Sequence, residues 1–223
     1  MPNIWSIENV DMYEILCPHK LEKYGPRHFR SYQKGEIIYH ENETAQFIYM
    51  VSSGKVRLVH YNDQGEEMVK AILTPGELFG EMALLGEEKR TDFALAVSDQ
   101  TQICPVTVDN IRDLMRDHSG LSLTIHKYIG QRMQKLERRL TSLFFKDTRQ
   151  RLVEFVYDLA KDQGTAVDEE ITIKHFYTQK DIADLIGARR ETVTHLFKEL
   201  KAENLIEYKR STIIIMAPGA IPS

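Results

Sequence analysis

Residues 178–210 read TQKDIADLIGARRETVTHLFKELKAENLIEYKR, and this stretch decides how the C-terminal third folds. Thr178 with Asp181 three positions later forms a capping pair, in which hydroxyl and carboxylate each satisfy a backbone N–H left without a partner at a helix start. Ile182, Leu185 and Ile186 give that short helix its apolar face. Gly187 follows, the residue for which a left-handed backbone carries no Cβ penalty, so the chain can turn steeply into a second helix. There Val193, Leu196, Phe197 and Leu200 recur at helical spacing and must face inward, leaving Arg189, Arg190, Glu191, Thr194, His195, Lys198 and Lys201 off the core stripe. This distribution suits a helix laid in the major groove of DNA, where N-terminal residues reach base edges and an Arg fork matches the two acceptors of guanine. Lys198 and Lys201 sit where phosphate or solvent contacts are expected. The closing IEYKRSTIIIM, residues 206–216, is expected to be a β-hairpin turning at KRS, so helices followed by a two-stranded ribbon predict a winged helix. A plain amphipathic hairpin explains the apolar stripe but not the coincidence of cap, glycine turn, basic helix start and ribbon.

Upstream the pattern changes twice. From Arg30 to about Pro105 the chain runs in short segments rich in β-branched and aromatic residues, such as 47–51, 55–61 and 68–73, separated by turn signals such as NDQG and TPGE. An antiparallel jelly-roll barrel is expected. From about Asp109 the period becomes helical. Ile125, Ile129, Met133, Leu136, Leu140 and Leu143 form a narrow stripe flanked by Arg132, Lys135, Glu137, Arg138 and Arg139. The stripe either packs on its own barrel or meets a second copy, and its charged flanks favour a symmetric dimer through Ile129, Met133, Leu136, Leu140 and Leu143. The segment KDQGTAVDEE, 161–170, reads as a loop and ITI, 171–173, as a strand. The whole is expected to be an α+β chain of three parts: a jelly-roll β domain with an N-terminal helical segment over 1–108, a dimerisation helix over 109–145, and a winged helix-turn-helix over 146–223.

The 223 residues are enough for two small cores, and their formal net charge of -4 means that any affinity for phosphate must come from a local patch. The N-terminal stretch lacks the basic and apolar regions of a leader, and no 18-residue apolar run occurs, so a soluble cytoplasmic protein without membrane contact is expected. Cys17 and Cys104 stand far apart, without the clustered spacing that zinc or iron–sulfur sites need, and no metal site is expected. His40, His60 and His126 are each isolated, which argues against haem ligation and against a barrel metalloenzyme alike. Cys104 has no resolving partner for thiol sensing. No nucleophile–base grouping is present, so no catalytic residue is assigned and the chain is not expected to be an enzyme.

From about residue 27 to 216 the chain resembles the CRP/FNR family of bacterial transcription regulators. The resemblance is carried, in order, by KGEIIYHENE, SGKVRL, PGELFGEMALL, the long helix and TQKDIADLIGARRETVTHLFKELKAENLIE. It implies a cyclic-nucleotide-binding β-roll, a dimer helix and a winged helix-turn-helix. It places Arg190 and Glu191 where the G·C pairs of a TGTGA-type half-site are read, with His195 replacing a second reading Arg. The DNA-contacting set is then Thr178, Gln179, Arg189, Arg190, Glu191, Thr194, His195 and Lys198.

For the effector, the resemblance points to Gly80 and Glu81 for a ribose hydroxyl, Arg90 and Thr91 for a cyclic phosphate, and Leu136 toward the base. No cofactor is demanded; a cyclic nucleotide is the candidate raised. Asp92 replaces a small neutral residue, and a carboxylate about 4 Å from a phosphate opposes binding by roughly 1 kcal/mol in water and several times that when partly buried. An Arg90–Asp92 pair would relieve this, yet it would occupy the guanidinium that the phosphate needs. Leu136 and Glu137 replace a Thr-Ser pair. The expected function is a homodimeric, sequence-specific regulator on a palindromic operator, gated by an effector at the β-roll, with double-stranded DNA as partner and RNA polymerase if it activates. The alternatives are an effector-independent regulator, or a cyclic-nucleotide-binding protein acting through protein contacts.

Overall fold

The computed structural model describes residues 29–117, 119–167, 170–209 and 211–216. The N-terminal helical segment and Cys17 lie outside them, as does Arg210 in the hairpin turn. Two compact units divide within the long helix, one running to Arg132 and the other starting at Met133.

Among the described residues of the first unit, eight strands form two antiparallel four-stranded sheets. Strands β1 (Arg30–Tyr32), β8 (Thr101–Thr107), β3 (Phe47–Ser53) and β6 (Leu78–Phe79) make one in the order β1-β8-β3-β6, and β2 (Ile37–Tyr39), β7 (Phe93–Ala96), β4 (Val56–Tyr61) and β5 (Glu67–Leu73) make the other in the order β2-β7-β4-β5. Tyr49, Val51 and Ile103 from the first sheet pack with Ile38, Leu58 and Ala94 from the second to fill the core between them. The unbroken apolar run 47–51 has a separate cause. Alternate residues Ile48 and Met50 face a second core, built with α1 (Val108–Asp117) and the start of α2 (Ser119–Phe145) through Ile111, Leu114, Leu121, Ile125 and Tyr128. The Tyr128 hydroxyl donates to Leu78 O at 2.9 Å, tying α2 to β6.

In the second unit α3 (Thr148–Gln163) starts from a capping box in which Asp147 accepts from the Gln150 amide and Gln150 reaches back. Strands β9 (Gly164–Val167), β10 (Glu170–Lys174), β11 (Ile206–Lys209) and β12 (Thr212–Ile215) form a sheet in the order β11-β12-β10-β9. The expected ribbon is therefore half of a four-stranded sheet, and the stretch read as a loop contributes β9. Gly and Ala in 164–167 hide the strand, because its stability comes from pairing with β10 and not from its own side chains. Helices α4 (Gln179–Ile186) and α5 (Arg190–Ala202) bury Ile182, Leu185, Val193, Leu196, Phe197 and Leu200, and Phe197 stacks on Tyr208 of β11 with ring centroids 4.2 Å apart.

Candidate nucleic-acid interface and effector pocket

The helix-turn-helix forms as its sequence requires. Thr178 accepts from the Asp181 amide and donates to its carboxylate at 2.8 Å, which completes the cap of α4. Gly187 takes φ 65, a left-handed backbone that disfavours a side chain, and a Cβ there would come within 2.6 Å of Leu143 Cδ2, which would have to shift. Arg151 holds the turn from beneath, a role with no local signal in the sequence. Its buried guanidinium donates to Ile186 O at 2.7 Å through Nε, to Lys146 O at 2.7 Å through Nη1, and to Gly187 O at 3.2 Å through Nη2. Arg139 adds a bond to Leu185 O at 2.8 Å.

On the outer face of α5, Arg189, Arg190, Glu191, His195 and Lys198 are exposed. Arg189 and Arg190, at the first turn, make no ion pair among the described residues, whereas His195 Nε2 lies 3.1 Å from Glu199. The helix start adds its own partial positive charge, which favours phosphate. Gln179 and Thr194 are brought together: the Thr194 hydroxyl shares its one proton between Gln179 Oε1 at 2.5 Å and Arg190 O at 3.0 Å, linking α4 to α5. The Thr178 hydroxyl is spent on its cap. Behind this surface His175 is buried between Tyr177 and Tyr208, with ring centroids 6.5 and 5.8 Å away. Burial pushes its imidazole below the ordinary histidine range, partly offset by the Tyr177 backbone.

The apolar stripe of α2 splits in two. Ile125 is buried and Ile129 partly buried against the chain's own barrel. Met133, Leu136, Leu140 and Leu143 are between 44% and 60% exposed, and Phe144 and Phe145 more so.

At the expected effector pocket Gly80, Glu81, Arg90 and Thr91 converge, while Leu136 belongs to the second unit. Gly80 takes φ 72, and a Cβ there would meet the Arg90 guanidinium at 2.8 Å. Glu81 pairs with Arg132 at 2.5 Å. Arg90, only 2% exposed, points inward: Nη1 donates to Gly80 O at 3.1 Å and Nη2 donates to Phe47 O. Its Cζ lies 4.7 Å from the Tyr39 ring centroid and 5.6 Å from that of Tyr49, and Glu87 stands 3.8 Å away as counter-charge. Thr91 is exposed and its hydroxyl donates to Glu87 at 3.1 Å.

Asp92 is not paired with Arg90, the pairing that would have relieved its charge at the cost of the guanidinium. It is 8% exposed, forms an ion pair with Lys70 Nζ at 2.6 Å, and accepts from the Tyr39 hydroxyl at 2.8 Å. Burial, reinforced by Asp92, raises the Tyr39 phenol far above its ordinary range, so that hydroxyl is a permanent donor. Lys70 and Tyr39 were missed because they lie 22 and 53 residues from Asp92 and meet it only across the roll. The loop itself is zipped shut: Asn42 N donates to Arg90 O at 2.8 Å, Arg90 N to Glu43 O at 2.9 Å and Ala45 N to Glu88 O at 2.9 Å.

Among the described residues, no group of three or more His, Cys, Asp or Glu could hold a metal ion, and no helix is long and apolar enough to cross a membrane. Residues 29–118 match the model of the cyclic nucleotide-binding domain, and residues 150–221 that of the Crp-like helix-turn-helix domain. The chain is 31% identical over 184 residues to the cyclic AMP receptor protein of Thermus thermophilus, covering 82% of each chain. It is 27% identical over 188 residues to the cAMP-activated global transcriptional regulator CRP of Haemophilus influenzae, covering 84% of each. A solved CooA mutant from Carboxydothermus hydrogenoformans superposes with a TM-score of 0.82 at 22% identity, over 99% of this chain and 98% of the other, which is a likeness of fold.

Proposed function

The chain belongs to the CRP/FNR family of DNA-binding transcription regulators, and from that premise we propose that it acts in the cytoplasm as a homodimer on a palindromic operator. The observation that carries the reading is the capped α4–Gly187–α5 junction, which buries Val193, Leu196, Phe197 and Leu200 while presenting Arg189, Arg190 and Lys198. Glu191 beside Arg190 suits a cytosine amino donor next to a guanine. The exposed Met133, Leu136, Leu140 and Leu143 supply the face that a second copy covers. As the regulatory domain, the β-roll sets how two α2 helices pack, and hence whether two recognition helices stand one helical turn of DNA apart, about 34 Å. An activator of this kind also contacts RNA polymerase.

The test is a titration of palindromic and random duplexes at several salt concentrations. A specific binder prefers the palindrome and loses affinity steeply with salt, because Lys and Arg displace condensed counterions. Equal affinity for both duplexes would overturn the reading and favour a regulatory protein that works through protein contacts.

A further inference from the structure

Residues 29–118 match the cyclic nucleotide-binding domain, and the family resemblance would set a cyclic phosphate beside Arg90, but the residues present do not fit one. A guanidinium that is 2% exposed, bonded to Gly80 O and Phe47 O and stacked against Tyr39, offers no face to an anion arriving from solvent. Turning it outward would leave two carbonyls without their donor and break the contact with two rings, in a loop already zipped to residues 42–45. The charges are also compensated from within. Lys70 answers Asp92, Glu87 answers Arg90 and Arg132 answers Glu81, so the pocket presents no net positive charge.

We propose that this β-roll carries its own anion. The Asp92 carboxylate, clamped by Lys70 and the Tyr39 hydroxyl, together with the inward Arg90, holds the loop in its closed form, so that operator binding is reached without a cyclic nucleotide. The chain Arg90–Tyr39–Asp92–Lys70 joins the loop to β2 and β5, which is the cross-linking that a bound phosphate would otherwise provide. The inference rests on the DNA-binding reading above and adds to it the regulation of the same protein.

The full-length protein decides the matter in three measurements. In calorimetry with cyclic AMP and cyclic GMP up to about 1 mM, no saturable heat is expected, and a Kd below about 0.1 mM for either overturns the inference. In a selection from a pool of randomised duplexes, an inverted repeat is expected to emerge from nucleotide-free protein. Emergence only with cyclic AMP or cyclic GMP overturns the inference and leaves the regulator reading intact; emergence in neither case overturns the regulator reading itself, and the calorimetry still judges the pocket. On the selected duplex, adding about 1 mM cyclic AMP is expected to change affinity less than about twofold, whereas a tightening of tenfold or more overturns the inference. Asp92→Ala is expected to weaken nucleotide-free operator binding about tenfold without rescue by cyclic AMP. A folded variant with unchanged affinity, or one rescued by the nucleotide, overturns the clamp. Should Asp92→Ala fail to fold, Lys70→Met tests the same link from the exposed end, with a severalfold loss expected and no loss overturning it.

Discussion

Replacing Arg151 by Met retains the aliphatic stem and removes the guanidinium that supports the turn of the helix-turn-helix. Two of its bonds are short and charge-assisted, to Ile186 O and Lys146 O at 2.7 Å each, while those to Gly187 O and Thr148 Oγ1 are longer, at 3.2 and 3.3 Å. At about 1.5–3 kcal/mol for each short charged bond, the pair contributes roughly 3–6 kcal/mol, and water reaching the freed carbonyls recovers part of it. A net loss of about 3 kcal/mol is expected, confined to the second unit. Native-state hydrogen exchange read on peptides from α4 and α5 reports this directly, because protection measures the free energy of local opening. At about 1.4 kcal/mol per decade, protection of both helices falls roughly 100-fold, while peptides from β3 and β4 keep theirs. Arg151→Lys should recover only a small part, since an ammonium cannot span three carbonyls in different directions. A loss of protection below about fivefold in Arg151→Met would refute the role given to this residue.

Arg190→Ala should weaken operator binding by about 1–3 kcal/mol and relax preference at one base pair, whereas Lys198→Ala should weaken all sequences alike and lower the salt slope by about 1; titration of a base-substituted duplex series separates the two, and an unchanged preference in Arg190→Ala would mean the reading helix is misassigned. Gly187→Ala forces a Cβ toward Leu143 at φ 65 and should cost at least about 1 kcal/mol in the protection of α4 and α5, so undiminished protection would contradict the turn geometry. Leu140→Lys places a charge on the exposed stripe of α2 and should move the protein from dimer to monomer in sedimentation equilibrium, whereas an unaltered dimer would exclude this face as the interface. For His175 the sign follows from burial: its folded pKa is depressed, so below about 6.5 the unfolded chain takes up a proton that the folded unit refuses. Stability of the second unit should therefore fall as pH drops from about 7, by at most roughly 1.4 kcal/mol per pH unit, and His175→Phe should remove that part of the slope; parallel profiles for the two proteins would rule the group out.

The features legible in the sequence were those whose cause lies within one turn of helix or one strand. Thr178 and Asp181 announce a cap, Gly187 a left-handed turn, and the spacing of Val193, Leu196, Phe197 and Leu200 a buried face, and each takes that form. The alternation that marks the roll follows from the same short range. What the sequence did not carry was whatever depends on a distant partner. Strand β9 has no pattern of its own and exists because β10 lies beside it. The stripe on α2 is continuous in sequence, yet Ile125 and Ile129 meet the barrel while Met133 onward stays exposed, since a periodic pattern states that a face is apolar and not what covers it.

The loop at residues 80–92 shows the same division most sharply. Sequence alone determined that a glycine, a glutamate, an arginine and a threonine stand in order, and that Asp92 brings a negative charge among them. It could not decide which way the guanidinium turns. That choice is made by Phe47 and Tyr39, which lie tens of residues from Arg90 and reach the loop only once both sheets have closed, while Lys70 on another strand takes Asp92. A buried charge takes the partners that the fold brings within about 3 Å, because leaving it unpaired costs far more than any local preference of the chain.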